Sequence, residues 1–182
     1  MVEPSTQEEV PQPPSESSLR HTWAAGVVTL ALLLVVALSG FVLMAWYQPT
    51  PGEAASSLLD FEALSGLAFL RRLHDLGGQL LLMATCFHLF RVVVRRAYRP
   101  PRQWSWVLGV GLLLVIWGFA TTGVLLPWDA TAQQVAEVSR LRGASEAETL
   151  RRAYILHCGI LPLLALGGVV WHLRAARPRE ES

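Results

Sequence analysis

The sequence predicts an all-α protein, a transmembrane four-helix bundle, on three observations. The 182-residue chain is 52% hydrophobic and 16% charged, with a mean hydropathy of +0.38. That is the balance of a membrane protein. Four apolar runs, at about 22–47, 74–95, 104–126 and 153–175, each hold the roughly 20 residues that a hydrocarbon core about 30 Å thick requires at about 1.5 Å per helical residue. Four of the five histidines, His74, His88, His157 and His172, lie inside the second and fourth runs.

Residues 1–18 (MVEPSTQEEVPQPPSESS) are rich in Pro, Ser and Glu and lack a basic start, which predicts a disordered tail and no signal peptide. A membrane domain follows over 19–178, with a short tail at 179–182. The connection between the second and third spans carries Arg91, Arg95, Arg96, Arg99 and Arg102, and Arg20, Arg174, Arg177 and Arg179 lie on the same side. The other two connections carry Arg71, Arg72, Arg140, Arg142, Arg151 and Arg152 against eight acidic residues. Basic loops stay inside, so both termini are expected in the cytoplasm of a bacterial inner membrane. A net charge of +1, with every cation an arginine, gives no basic excess for nucleic acid. Cys86 and Cys158 sit in apolar runs outside any CxxC or CxxCH pattern, which reads as packing and excludes a disulfide scaffold.

Ionisable groups inside a membrane are costly and point to function. A neutral imidazole escapes that cost by ligating a metal. His74 and His88 are fourteen residues apart, which on a helix is about 40° short of four turns and a rise of about 21 Å. They share a face, one near each membrane surface. His157 and His172 are fifteen apart, at similar depths but about 60° apart in azimuth. The second and fourth spans run in the same direction, so His74 is level with His157 and His88 with His172. Two cross-helix pairs about 20 Å apart suggest two stacked haems, each held by one nitrogen from either span. A zinc site needs its ligands at one depth, and here they split into two.

Glycines follow the same spacing. Gly26 and Gly40 on the first span, and Gly109 and Gly123 on the third, are fourteen residues apart. Threading places Gly40 and Gly123 level with His74 and His157, and Gly26 and Gly109 level with His88 and His172. A residue without Cβ lets a flat macrocycle approach the backbone. Gly111, Gly118, Gly167 and Gly168 are assigned to ordinary small-residue helix packing. Arg71 and Arg91, three residues outside His74 and His88, extend to where haem propionates would lie, or snorkel to the interface.

The strings WYQPTPGEAASS, FLRRLH, YRPPRQWSWVLG, TTGVLLPWD and RRAYILHCGILPLL, together with these intervals, resemble the N-terminal half of cytochrome b from quinol-oxidising cytochrome bc and bf complexes. The likeness covers about residues 20–178, and the fifteen-residue interval makes it more like the split photosynthetic form. The resemblance implies two non-covalent b-type haems, with His74 and His157 on the outer iron and His88 and His172 on the inner. It implies roles for Gly26, Gly40, Gly109, Gly123, Arg71 and Arg91 around them, and a basic Arg177 near an inner quinone site. It also implies quinol and quinone as substrates, a three-helix C-terminal-half cytochrome b partner bearing a PEWY-like segment, a Rieske iron-sulfur protein, a c-type cytochrome and a homodimeric complex in the lipid bilayer.

Two departures stand out. Ala24 occupies the position where the photosynthetic form attaches an extra haem through cysteine, so no c-type haem is expected. The connection from Asp129 to Arg152 is shorter than the family's two-helix excursion and bears little likeness to it. Pro127, Trp128, Asp129 and Tyr154 are candidates for an outer quinol site, although Pro-Trp-Asp also reads as a helix terminator with an interfacial tryptophan. Filled axial positions leave electron transfer as the function. Two other functions are compatible with the spans: a dihaem subunit linking quinone to a dehydrogenase or hydrogenase, and a haem-free membrane anchor.

Overall fold

The computed structural model describes residues 16–63, 65–100, 102–139 and 144–176. Most of the expected N-terminal tail, Arg140, Arg142, Arg177 and the tail at 179–182 lie outside the described residues. The elements in chain order are α1 (Glu16–Met44), α2 (Ala54–Ala63), α3 (Ser65–Val94), α4 (Gln103–Leu125), α5 (Ala130–Ser139), α6 (Glu146–Tyr154), a π-helical turn (Ile155–Ile160) and α7 (Leu161–Ala176). No strand occurs among the described residues.

Four stretches are long and apolar enough to cross a membrane: Trp23–Met44, Gly66–Val94, Gln103–Leu125 and Glu146–Ala176. Their large side chains point outward, with Phe41, Phe69, Met83, Trp117, Leu163 and Trp171 all well exposed. In hydrocarbon that costs nothing, because the solvent is as apolar as the side chain. The bundle is built from two antiparallel pairs, α1 packing mainly on α3 and α4 mainly on α7, joined through α3 and α4. Two ends result. The terminal end bears the start of α1, the end of α7 and the α3–α4 connection; the loop end bears α2, α5 and α6.

The second span extends further than its apolar run. Helix α3 begins at Ser65, so Arg71, Arg72 and Asp75 lie on helical turns, with Arg71 Nε 3.9 Å from Asp75 Oδ2. The connection after Asp129 also differs from expectation, since it holds two short helices, α5 and α6. Both are amphipathic: Ala132 and Ala136 on α5, and Leu150 and Ala153 on α6, bury one face each. Local signals start them. Asp129 Oδ1 accepts from the Ala132 N–H at 2.9 Å, and Ser145 Oγ accepts from the Glu148 N–H at 3.2 Å, with acidic residues in the first turn of α6.

These helices close a small core over the loop end. Ala54, Trp128, Ala136 and Leu150 form its centre, with Tyr47, Leu125 and Leu126 against it. Trp128 is 3% exposed and adopts a positive φ of 50°, which turns the chain from α4 into α5. The tryptophan is therefore a core residue of this cap and not an interfacial one. The two cysteines are free, Cys158 half-buried and Cys86 on an exposed face of α3.

Leu150 is the largest side chain fully buried in the cap. Leu150→Ala is expected to destabilise the protein by about 2–5 kcal/mol, read as a lower thermal midpoint in detergent, while the four long helices persist by far-ultraviolet circular dichroism.

Candidate functional site

The structure brings the four span histidines together as two pairs. His74 on α3 and His157 in the π turn have ring centroids 6.1 Å apart with planes at 67°. His88 on α3 and His172 on α7 have centroids 6.5 Å apart with planes at 80°. The fifteen-residue interval predicts an offset of about 60° between His157 and His172. The structure removes it: the π turn over Ile155–Ile160, which contains His157, takes up one extra residue and returns the ring to the shared face.

Each ring rests on one glycine of the neighbouring helix, in the pairing expected from depth. A Cβ built on Gly40 would lie 2.7 Å from His74 Cε1, and one on Gly123 3.0 Å from His157 Cε1. One on Gly26 would lie 3.3 Å from His88 Cε1, and one on Gly109 3.4 Å from His172 Cε1. Each of these glycines thus permits the close approach of an imidazole. Of the glycines assigned to packing, Gly118 and Gly168 meet Leu161 and Leu112 side chains, whereas Gly111 and Gly167 face open space. Gly77, not singled out in the sequence, receives Val36.

Hydrogen bonding differs between the pairs. His74 Nδ1 lies 3.0 Å from the Val36 carbonyl oxygen and 3.2 Å from Ser39 Oγ, and His157 Nδ1 lies 3.0 Å from Thr122 Oγ1. His88 Nδ1 and His172 Nδ1 are buried without a well-aligned hydrogen bond, the Ser105 backbone being the group nearest to His172. Arg91 Nε and Trp106 Nε1, at the same end of the bundle, are also buried without partners. The Arg91 guanidinium sits over the Phe87 ring at 5.6 Å, and Trp106 packs against Tyr98. Trp106 was not read from the sequence; its signal was a position three residues before Gly109, one helical turn from the ring's seat.

The residues fit a haem at each level. Two imidazoles on opposite sides of one metal, with nitrogen–metal bonds of about 2.0 Å and about 1.1 Å from nitrogen to ring centre, have centroids about 6.2 Å apart. Imidazoles bonded directly nitrogen to nitrogen at about 2.9 Å would have centroids nearer about 5 Å. The observed separations match the first case. Among the described residues no group of three or more His, Cys, Asp and Glu side chains could hold a metal ion. Pairs alone suit a metal that brings its other ligands with it. The two unpartnered donors, Arg91 Nε and Trp106 Nε1, fit an acceptor such as a carboxylate at the terminal end.

The quinone-site candidates are dispersed in role. Pro127 is half-buried, Trp128 is in the cap core, and Asp129 caps α5. Tyr154 stacks on Tyr47, with centroids 5.8 Å apart and planes at 23°. The Tyr47 hydroxyl donates to the Leu126 carbonyl oxygen, and burial pushes its phenol above the ordinary tyrosine range, so it stays a neutral donor. At the terminal end, an open apolar groove between α4 and α7 is lined by Trp104, Leu163, Leu166, Val170 and Trp171 and closed by Arg174, three residues short of Arg177.

The graded glycine contacts give a prediction. Gly40→Ala forces His74 aside and is expected to cost about 1–3 kcal/mol and to displace the bound group at the loop end. Gly109→Ala meets only ordinary contact and is expected to leave it in place. Pigment content and thermal midpoint of the purified variants check both.

Comparison with known proteins accords with this geometry. The family model described as cytochrome b/b6/petB matches residues 10–179. A cytochrome bc complex cytochrome b subunit from Chlorobaculum thiosulfatiphilum is 33% identical over 166 residues, covering 81% of this chain and 39% of that protein. The cytochrome b6 of Heliobacterium mobile is 30% identical over 180 residues, covering 88% of this chain and 84% of that protein. Among solved structures, a chain of a hyperthermophilic respiratory complex III shares the fold with a TM-score of 0.79 at 22% identity, over 88% of this chain and 48% of that one. The chain thus spans less than half the length of the Chlorobaculum subunit and of the solved chain. By the family model over most of its length and by these relatives, the chain belongs to the cytochrome b/b6 family.

Proposed function

We propose that this chain carries electrons across a bilayer through two bis-histidine b haems, as the haem-bearing part of a quinol-oxidising complex coupled to proton translocation. Membership of the cytochrome b family makes it an integral membrane, haem-binding electron-transfer subunit; the haem count, ligands and substrates are part of the proposal. The observation that carries it is the pair of facing imidazoles at each of two levels, each ring on its own glycine. On this reading His74 and His157 hold the outer haem and His88 and His172 the inner. When bound, the haems supply one-electron redox chemistry between a quinol oxidised near one surface and a quinone reduced near the other.

The chain's residues do the rest. With imidazole on both axial positions, no site is left for a small molecule at the metal. Gly26, Gly40, Gly109 and Gly123 seat the rings, and the apolar outer faces keep water from them. Arg71 and Arg91, one turn beyond His74 and His88, are proposed to face haem carboxylates. The arginine-rich α3–α4 connection favours the terminal end as cytoplasmic, which puts the cap of Trp128, Asp129 and Tyr154 on the outer side. An outer quinol site there would be completed by a three-helix C-terminal-half partner, with a Rieske protein and a c-type cytochrome as acceptors in a homodimeric assembly.

The test is a reduced-minus-oxidised spectrum of the purified complex with a haem-to-protein ratio. Two low-spin b haems per chain are expected, and His88→Ala should lose one and keep the other. A colourless protein, or one that keeps both haems without His88, would defeat the proposal.

A further inference from the structure

The two histidine pairs are built alike except in one respect. At the loop end, the residue before each ring-bearing glycine carries a hydroxyl: Ser39 before Gly40 and Thr122 before Gly123. At the terminal end the same positions hold Ala25 before Gly26 and Leu108 before Gly109. The hydroxyls reach the rings, at 3.2 Å from Ser39 Oγ to His74 Nδ1 and 3.0 Å from Thr122 Oγ1 to His157 Nδ1. Neither of the other two rings has a hydroxyl beside it; the Ser105 backbone is the group His172 meets, and neither Nδ1 forms a well-aligned bond.

The direction of these bonds follows from where the hydroxyl protons go. Ser39 donates to the carbonyl oxygens of Val35 and Val36, at 2.8 and 3.0 Å. Thr122 donates to the Gly118 carbonyl oxygen at 2.7 Å. Each proton is committed to its own helix, so what each hydroxyl offers the imidazole is a lone pair. Nδ1–H therefore donates and Nε2 is left without the proton. An acceptor on the far nitrogen of a ligating histidine fixes its tautomer and raises its basicity. A more basic ligand favours the ferric over the ferrous state.

We propose that Ser39 and Thr122 are positioning residues that make His74 and His157 the stronger donor pair and so lower the reduction potential of the loop-end haem alone. The proposal rests on the two-haem reading. The two residues differ in weight: His74 keeps a well-aligned bond to the Val36 carbonyl oxygen when Ser39 is lost, whereas His157 would keep only the looser backbone contact with Phe119. Thr122→Val, of the same shape, is the stronger variant.

The experiment is a potentiometric titration of the assembled complex in native membranes, read optically at each haem, with the haem retained in His88→Ala marking the loop end. In Thr122→Val the ferric-to-ferrous ratio of the loop-end haem at fixed potential is expected to fall about threefold to tenfold, where tenfold corresponds to about 59 mV for one electron. Ser39→Ala should shift it less in the same direction, and neither should move the other haem. Ala25→Ser adds the missing hydroxyl at the terminal end and should lower that haem's potential instead; it decides the matter if Thr122→Val does not assemble. Two haems with unmoved potentials, or equal shifts at both, would overturn the inference and leave the haem reading standing. Wild-type membranes without haem in this chain would defeat both.

Discussion

Everything in the bundle depends on an imidazole pressing its Cε1 edge against a helix that has no Cβ at that point. Four such seats exist, Gly40 under His74, Gly123 under His157, Gly26 under His88 and Gly109 under His172. The contact does three things at once. It sets how closely α1 approaches α3 and α4 approaches α7, because the ring fills the space between them. It also holds a polar side chain in the interior of a membrane protein, where an unsupported one is expensive. Lastly, it brings the rings of α3 and α7 together across the gap in two pairs, with centroids 6.1 and 6.5 Å apart.

The two ends of the bundle solve this with different stringency. At the loop end the seats are tightest, the Nδ1 atoms are bonded, and a packed cap of Ala54, Trp128, Ala136 and Leu150 locks the helix ends. The Tyr47 bond to the Leu126 carbonyl ties α1 to the end of α4 and satisfies a carbonyl that the helix terminus leaves over. A short helix alone is marginal in water. Helices α2, α5 and α6 therefore exist because they share this core, and their capping residues only decide where they start.

Much of this was legible in the sequence because it is written in helical period. Four apolar runs give the spans, and intervals of fourteen between histidines and between glycines give the faces and the depths. Two features were not legible. The fifteen-residue interval on the fourth span looked like an angular mismatch, and nothing in ILHCGI marks the π turn that absorbs it, since a bulge is chosen by tertiary contacts and not by local propensity. The α5 and α6 segments are polar on most of their surface, so a reading tuned to membrane spans passed over the small apolar faces of Ala132, Ala136, Leu150 and Ala153. The glycine spacing reports the level of each seat, and the structure adds that an imidazole edge lies against each one.

The terminal end carries the opposite problem, and its resolution bears on what the bundle binds. Three donors or potential donors, His88 Nδ1, Arg91 Nε and Trp106 Nε1, are buried there without partners, and His172 Nδ1 forms no well-aligned bond although the Ser105 backbone lies near its ring. Each such group costs about 1–3 kcal/mol, and a charged one more. Packing does not offset that, since Phe87 offers the Arg91 guanidinium only its ring face and Tyr98 meets Trp106 ring against ring. A fold that gave the equivalent atoms at its other end two hydroxyls and a carbonyl holds Ala25 and Leu108, which offer no acceptor, at the matching positions here. Arg91 Nε and Trp106 Nε1 remain there as buried donors, which suits an acceptor from outside the chain. An anionic group at that level would convert several orphaned donors into charge-assisted bonds at once, which is why the terminal end, weaker as protein, is the end at which a bound carboxylate would add most to stability.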